Sequence, residues 1–413
     1  MHPKDFTNTD EATKKSKACA EKNEIQTVWE RYAEQLPQCG FGLLGLCCKN
    51  CNMGPCRIDP FGEGPSTGVC GANADTIAAR NLARGIAGGA ACHSDHGREI
   101  VHALMLVGKG KAEGYFIKDE AKLRRIAAEF GVETENKPKE KVAVELAEKM
   151  LHEFGSQEGR LTLLKRAPEK QRKFWEANNL APRGIDREVV EVMSRTHMGV
   201  DNDYLNIMQQ GIRCAMADGW GGSMIATECT DILFKSPRPV RAKVNLGVLK
   251  ADEVNVIVHG HVPLLSDMIC EAASSKDMLD LAKTKGAKGI VVAGICCTAN
   301  EILMRRGIPV AGSVLQQELA VATGAVDLMV VDLQCIMPSL PQTGKCFHTK
   351  FVSTSPKAKF PGMEHVEFEE ERGLSIAKEI IKKAVENYPN RKKEMVNIPQ
   401  ETMDMVAGFT TEY

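Results

Sequence analysis

Three features of the 413-residue sequence predict an α/β protein with a helical N-terminal part. Six of its fifteen cysteines crowd between residues 39 and 70, in a stretch rich in Gly and Pro. Charged and apolar positions then alternate at helical spacing up to about residue 179. From about residue 240 short β-branched runs alternate with helix-like stretches, the pattern of a parallel sheet joined by crossover helices.

Each element follows in order. The first 35 residues or so are polar and helix-compatible, and 25–36 reads as a short amphipathic helix. Residues 37–71, with Pro55, Pro60 and Pro65, are expected to be irregular, because Gly and Pro interrupt both helical and strand periodicity. Small and apolar residues recur at helical spacing over 73–107, interrupted around Gly85 and Gly88-Gly89. Residues 118–179 read as partly exposed helices. Strands are expected at 254–258, 289–293, 326–331 and 351–353, with crossover helices at 264–285, 299–306 and 315–323 between them. A helix over 374–387, a polar linker, and the beginnings of a strand over 406–413 complete the chain. The expected domains are therefore a helical one with the cysteine loop (1–240), a Rossmann-like parallel-sheet α/β domain (241–400), and the start of a further α/β domain (401–413).

Composition narrows the function. Hydrophobic residues make up 43% and charged residues 26%, and 53 Lys+Arg against 54 Asp+Glu leave a net charge of -1. That balance argues against nucleic-acid or membrane-surface binding, which need a basic field. No apolar run approaches the ~18 residues that span a bilayer, and the first five residues lack a signal-peptide core, so the cytoplasm is the expected location. Thiols there stay reduced, and metal is a better explanation for fifteen cysteines than disulfides.

The spacing Cys48-x2-Cys51-x4-Cys56-x13-Cys70 supplies four thiolates on one loop. Four soft sulfurs suit zinc or an iron–sulfur cluster. The single Cys-x2-Cys knuckle favours iron–sulfur, since zinc sites usually pair two knuckles. Cys39 and Cys47 are either ordinary buried thiols or half of a site that a second copy of the chain completes.

Three strands are each followed by a potential ligand: His259-Gly260-His261, Cys296-Cys297 and Cys335. In a parallel sheet the carboxyl ends of neighbouring strands open into one crevice. Core histidines and small buried thiols are the alternative there. His93, His96 and His102, with Glu99, drift round one helix face. Such a file passes protons in steps, although spacing alone favours a solvated polar face.

Taken together, the run from Cys47 to Ile58, Gly68-Val69-Cys70-Gly71-Ala72, His259-Gly260-His261, Cys296-Cys297-Thr298-Ala299-Asn300-Glu301 and Asp332-Leu333-Gln334-Cys335-Ile336 resembles the anaerobic nickel–iron–sulfur carbon monoxide dehydrogenases over essentially the whole chain. The resemblance implies a homodimer that oxidises CO with water to CO2, reversibly, and passes electrons to a ferredoxin-like acceptor. It implies a four-iron relay cluster on Cys48, Cys51, Cys56 and Cys70, and a subunit-bridging one on Cys39 and Cys47, whose seven-residue spacing is similar to the four-iron type. It further implies that His261 and Cys297 hold the pendant iron beside nickel and that Cys335 holds one iron of that Ni–4Fe–4S (or 4S–5S) cluster. His93 becomes the catalytic proton-handling group, with His96 and His102 behind it and Glu99 where relatives can have another His. The family has a third domain with the remaining cysteine ligands and a catalytic lysine. The sequence stops where that domain is expected to begin, so an incomplete ligand set and little activity of this chain by itself are expected. The competing expectations are an iron–sulfur electron carrier or scaffold, and a hybrid-cluster-type hydroxylamine reductase.

Overall fold

The computed structural model describes residues 9–410. The signal-peptide reading of the first five residues and the last three positions of the 406–413 strand lie outside the described residues. The chain divides into two compact units, one of residues 37–110 and 117–233, the other of residues up to 36, 111–116 and from 234 onward.

The first unit is helical. Its cysteine loop forms one short turn of helix, Gly40–Leu43, and a minimal antiparallel pair, β1 (Cys47–Cys48) and β2 (Cys56–Arg57). A 35-residue helix, Ala74–Gly108, follows; Asn73 caps it by accepting the Thr76 N–H at 2.9 Å. The interruption expected at Gly85 and Gly88-Gly89 is absent. Each Gly costs ~1 kcal/mol against Ala in a helix. The buried face Ala79, Ala83, Ala87 and Ala90, packed on Val192, Ile207 and Cys214, outweighs that cost. Helices Glu120–Glu129, Lys139–Gly155, Glu169–Ala177, Ile185–Arg195, Tyr204–Ala217 and Ser223–Phe234 complete the bundle. Gly97 lets the long helix approach closely, since a Cβ there would stand 2.9 Å from both the Gly222 carbonyl and the Phe154 ring.

The second unit is an α/β sandwich on an eight-stranded sheet: β3 (Val240–Val244), β4 (Val254–Gly260), β5 (Ile290–Ile295), β6 (Val310–Gly312), β7 (Val326–Val331), β8 (Lys350–Ser353), β9 (Glu364–His365) and β10 (Met403–Ala407). The order is β10-β3-β6-β5-β4-β7-β8-β9, with only β10 antiparallel to its neighbour. From β6 to β9 this is the doubly wound 3-2-1-4-5-6 order, and the order of the strands reverses between the parallel neighbours β4 and β7. Both of those strands are buried along their whole length, as sheets covered on both faces require. The expected helix over 264–285 is two, Pro263–Ser274 and Lys276–Thr284.

The division differs from the expected boundary at 240 in two respects. Residues before 37 belong with the sheet, where Ala12, Ala20, Ile25 and Trp29 share a core with Leu319, Ala320 and Val321. Arg31 Nη2, 2.7 Å from the fully buried Glu318 carboxylate, and the Val28 N–H at 2.7 Å from the same group lock them there. Residues 403–407 extend this same sheet as its edge strand. Among the described residues no helix is long and apolar enough to cross a membrane.

Candidate metal centres

In the helical unit the β1–β2 pairing sets Cys48 opposite Cys56. Cys48, Cys51, Cys56 and Cys70 line a single small cavity, together with Gly54, Gly68, Ile77, Arg80 and Met198. The wall is tight at Gly54, where a Cβ would lie 3.1 Å from the Cys48 carbonyl oxygen. The Val69 N–H donates to Cys56 Sγ at 3.4 Å. All fifteen cysteines are free thiols. Among the described residues, no group of three or more His, Cys, Asp or Glu closes on a point fit for one metal ion. Four thiols of one loop around one cavity are the donor set that a four-iron cluster uses.

Cys39 is exposed at the start of its helical turn, which removes the buried-thiol alternative for that residue. Cys47 is half-buried on β1, and its carbonyl accepts the Asn81 side-chain N–H at 2.9 Å. Leu43 and Leu44 in the intervening segment are 74% and 53% exposed. The two thiols thus belong to an exposed apolar segment.

On the long helix His93 is half-buried, His96 is buried at 8% exposure, and His102 is exposed. The file is therefore no uniform solvated face. His93 Nδ1 lies 2.8 Å from Asp218 Oδ1 and 3.0 Å from Oδ2, and that hydrogen bond raises the imidazole pKa against the opposing effect of burial. Ser223 Oγ donates to Asp218 Oδ1 at 2.6 Å and stands 3.2 Å from His93 Nδ1. Asp218 and Ser223 bracket a π-helical turn, Asp218–Gly222, between Tyr204–Ala217 and Ser223–Phe234. Neither residue stands out in the sequence: they lie 125 and 130 positions from His93, in a segment whose glycines suggest only a turn.

The α/β unit carries the other candidates. His259 pairs in register with Ile295 of β5 and Val331 of β7, so the three strand ends are level, and Gly260 bridges Cys296. Crevice and ligands meet where the doubly wound order reverses, as the rule for such sheets demands. Cys296, Gln334 and Cys335 all have left-handed backbones (φ 64°, 67° and 59°), a conformation that costs non-glycine residues strain and that clusters at functional sites. Burial, then Cys335, Cys297 and Asp332 nearby, push the Cys296 thiol up to about 12. Cys297 is raised by burial, Cys335, Glu301 and Asp332. Sulfurs that oppose one another's ionisation become stable thiolates beside a cation, the charge a metal brings. The donor set of soft sulfur with the nearby His261 fits nickel and iron. Cys296 is the member of this set that the resemblance did not single out, although its place beside Cys297 was visible.

Comparison with known proteins shows the family and the fold. The Prismane/CO dehydrogenase family matches residues 46–408. Carbon monoxide dehydrogenase 1 of Methanosarcina acetivorans is 60% identical over 95% of this chain and 63% of its own length. Carbon monoxide dehydrogenase 1 of Carboxydothermus hydrogenoformans is 47% identical over 95% of this chain and 62% of its own. The nickel-free crystal structure of carbon monoxide dehydrogenase from Thermococcus sp. AM4 superposes with a TM-score of 0.95 at 52% identity, covering 96% of this chain and 63% of that one. A further structure, of acetyl-CoA synthase/carbon monoxide dehydrogenase with nickel-bearing [Fe4S4] clusters, gives a TM-score of 0.95 at 42% identity over 100% and 62% of the two chains. The chain thus spans somewhat under two thirds of the length of these relatives.

Proposed function

The chain belongs to the Prismane/CO dehydrogenase family, and from that membership we propose that it takes part in the reversible oxidation of CO with water to CO2, two electrons and two protons. The observation that carries the proposal is the convergence of Cys296, Cys297 and Cys335 with the His261 turn at the level ends of β4, β5 and β7. An electron carrier would need only the four-cysteine loop and would leave these strained thiol turns without a purpose.

In this reading Cys48, Cys51, Cys56 and Cys70 would hold a four-iron relay cluster, and Cys39 and Cys47 would share a second with the same pair from another copy of the chain in a homodimer. His261, Cys297 and Cys335 would contribute to a nickel–iron–sulfur cluster. When bound, that cluster supplies a soft metal for CO, a Lewis acid for water and the capacity to accept two electrons. The chain's own residues supply the rest. Asp218 engages His93 Nδ1, so proton exchange falls to Nε2, and the hydrogen bond to Asp218 raises the imidazole pKa, which favours holding a proton. His96 and His102 continue along the same helix toward an exposed end. Electrons would leave for a ferredoxin-like acceptor in the cytoplasm, a location that fifteen free thiols support.

CO-dependent reduction of a viologen dye by the catalytically complete protein, purified anaerobically, tests the proposal. Reduction that disappears in Cys297→Ser is expected. Equal rates in that variant, or none in the unsubstituted protein when nickel and iron are both bound, contradict it.

A further inference from the structure

Resting on the reading of the β4, β5 and β7 ends as a metal site, we propose that Asp332 and Gln317 are positioning residues that hold the His261 and Cys335 turns in ligand geometry before any metal arrives. Asp332, 5% exposed, directs both carboxylate oxygens at the turn after β4. Oδ1 accepts the His261 N–H at 2.7 Å and Oδ2 accepts the Val262 N–H at 2.8 Å. The Leu333 N–H also donates to Oδ1, so one carboxylate joins the turn after β4 to the turn after β7. The space it occupies exists only because residue 260 is glycine: with φ at 136°, a Cβ there would sit 1.6 Å from Asp332 Oδ1.

Gln317 does the same for the Cys335 side. It is fully buried, and its amide makes all four of the hydrogen bonds available to it. Nε2 donates to the Cys335 carbonyl at 3.0 Å and the Val314 carbonyl at 2.8 Å. Oε1 accepts the Met337 N–H at 2.8 Å, which fixes the orientation of the amide. His259 Nε2, 2.9 Å from the same oxygen, is therefore the donor. Gln317 thus pins the left-handed Gln334-Cys335 turn at the Cys335 carbonyl and at Met337 just beyond it, and ties it to the end of β4.

A sheet needs neither group for stability, since a buried carboxylate or amide is costly unless fully hydrogen-bonded. Here the bonds fall on the segments that bear the candidate ligands. Such support from behind is what keeps metal ligands oriented.

The test is residue-resolved thiol protection in protein reconstituted anaerobically with iron, sulfide and nickel, read by iodoacetamide alkylation and peptide mass spectrometry. In the unsubstituted protein Cys297 and Cys335 are protected, as are Cys48, Cys51, Cys56 and Cys70. Asp332→Ala and Gln317→Leu are expected to raise alkylation of Cys297 and Cys335 at least tenfold and to leave the four loop thiols protected. Asp332→Asn, equal in shape and retaining one acceptor, is expected to fall between. Unchanged protection of Cys297 and Cys335 in all three variants overturns the positioning role and leaves the site reading intact. Loss of protection at both sites shows a merely structural role and also overturns it. Unprotected Cys297 and Cys335 in the unsubstituted protein remove the site reading, and the proposal with it.

Discussion

Asp218 Oδ1 stands 2.8 Å from His93 Nδ1, across 125 residues of sequence, and makes His93 a histidine with a fixed partner and a raised pKa. The helical unit thereby contains a built acid–base pair. The pair depends on the π-helical turn that starts at Asp218, because Gly222 in that turn lies close against the His93 backbone.

Asp218→Asn is expected to lower the His93 pKa, read by NMR titration of the imidazole. The folded-state pKa is raised, so the stability that the pair contributes is complete below the ordinary value of 6.5 and fades as the pH rises through the folded value. In the variant that part of the pH dependence should disappear. In the catalytically complete protein His93→Ala should slow CO oxidation ~10²–10⁴-fold, the usual worth of general acid–base assistance, with normal nickel and iron. Loss of nickel in His93→Ala would instead make His93 a ligand.

Cys51→Ala is expected to abolish the EPR signal of a reduced four-iron cluster and to lower the iron count, because Cys51 is one of four thiols around a single cavity. An unchanged spectrum would show that the cavity holds no cluster.

Cys39→Ser with Cys47→Ser should weaken self-association in sedimentation more than it disturbs helical content, since an exposed and a half-buried thiol offer only half of a cubane's ligands. Equal dimer mass and equal iron per chain would rule out a bridging cluster.

Lys122→Ala should destabilise the helical unit by ~3–5 kcal/mol in denaturant unfolding, the usual cost of leaving buried charges without their partner. Lys122 is 6% exposed, with Asp231 at 2.5 Å and Glu228 at 3.1 Å. Burial disfavours its charge, yet the two carboxylates outweigh burial and raise its pKa. A loss below about 1 kcal/mol would mean that water replaces the ammonium.

Much of this was legible in the sequence, for physical reasons particular to each element. Val254 to Val258 and Val326 to Val331 are apolar runs that only a sheet covered on both faces explains, and the structure places β4 and β7 there. The doubly wound rule then predicted that the residues following them would meet. Strand β3 was not expected, and β10 only from residue 406 on, because their exposed positions carry Arg241, Lys243 and Asp404, which dilute the strand signal. Residues before 37 were assigned with their neighbours in sequence, since nothing local reveals that Trp29 and Arg31 meet a core and a buried carboxylate near residue 318. The four-cysteine loop was legible because its ligands are local. Asp218, Ser223, Gln317 and Asp332 were not recognised as site residues because their roles are hydrogen bonds made across the fold.

The central claim is that His261, Cys297 and Cys335 share a nickel–iron site at the ends of β4, β5 and β7, separate from the four-cysteine loop. Anomalous diffraction at the nickel and iron absorption edges, from crystals of anaerobically prepared protein, measures this most directly. The account predicts nickel and iron peaks together beside these three residues, and iron without nickel inside the loop of Cys48, Cys51, Cys56 and Cys70. Iron in the loop with neither metal beside His261, Cys297 and Cys335, or nickel bound elsewhere, would contradict it.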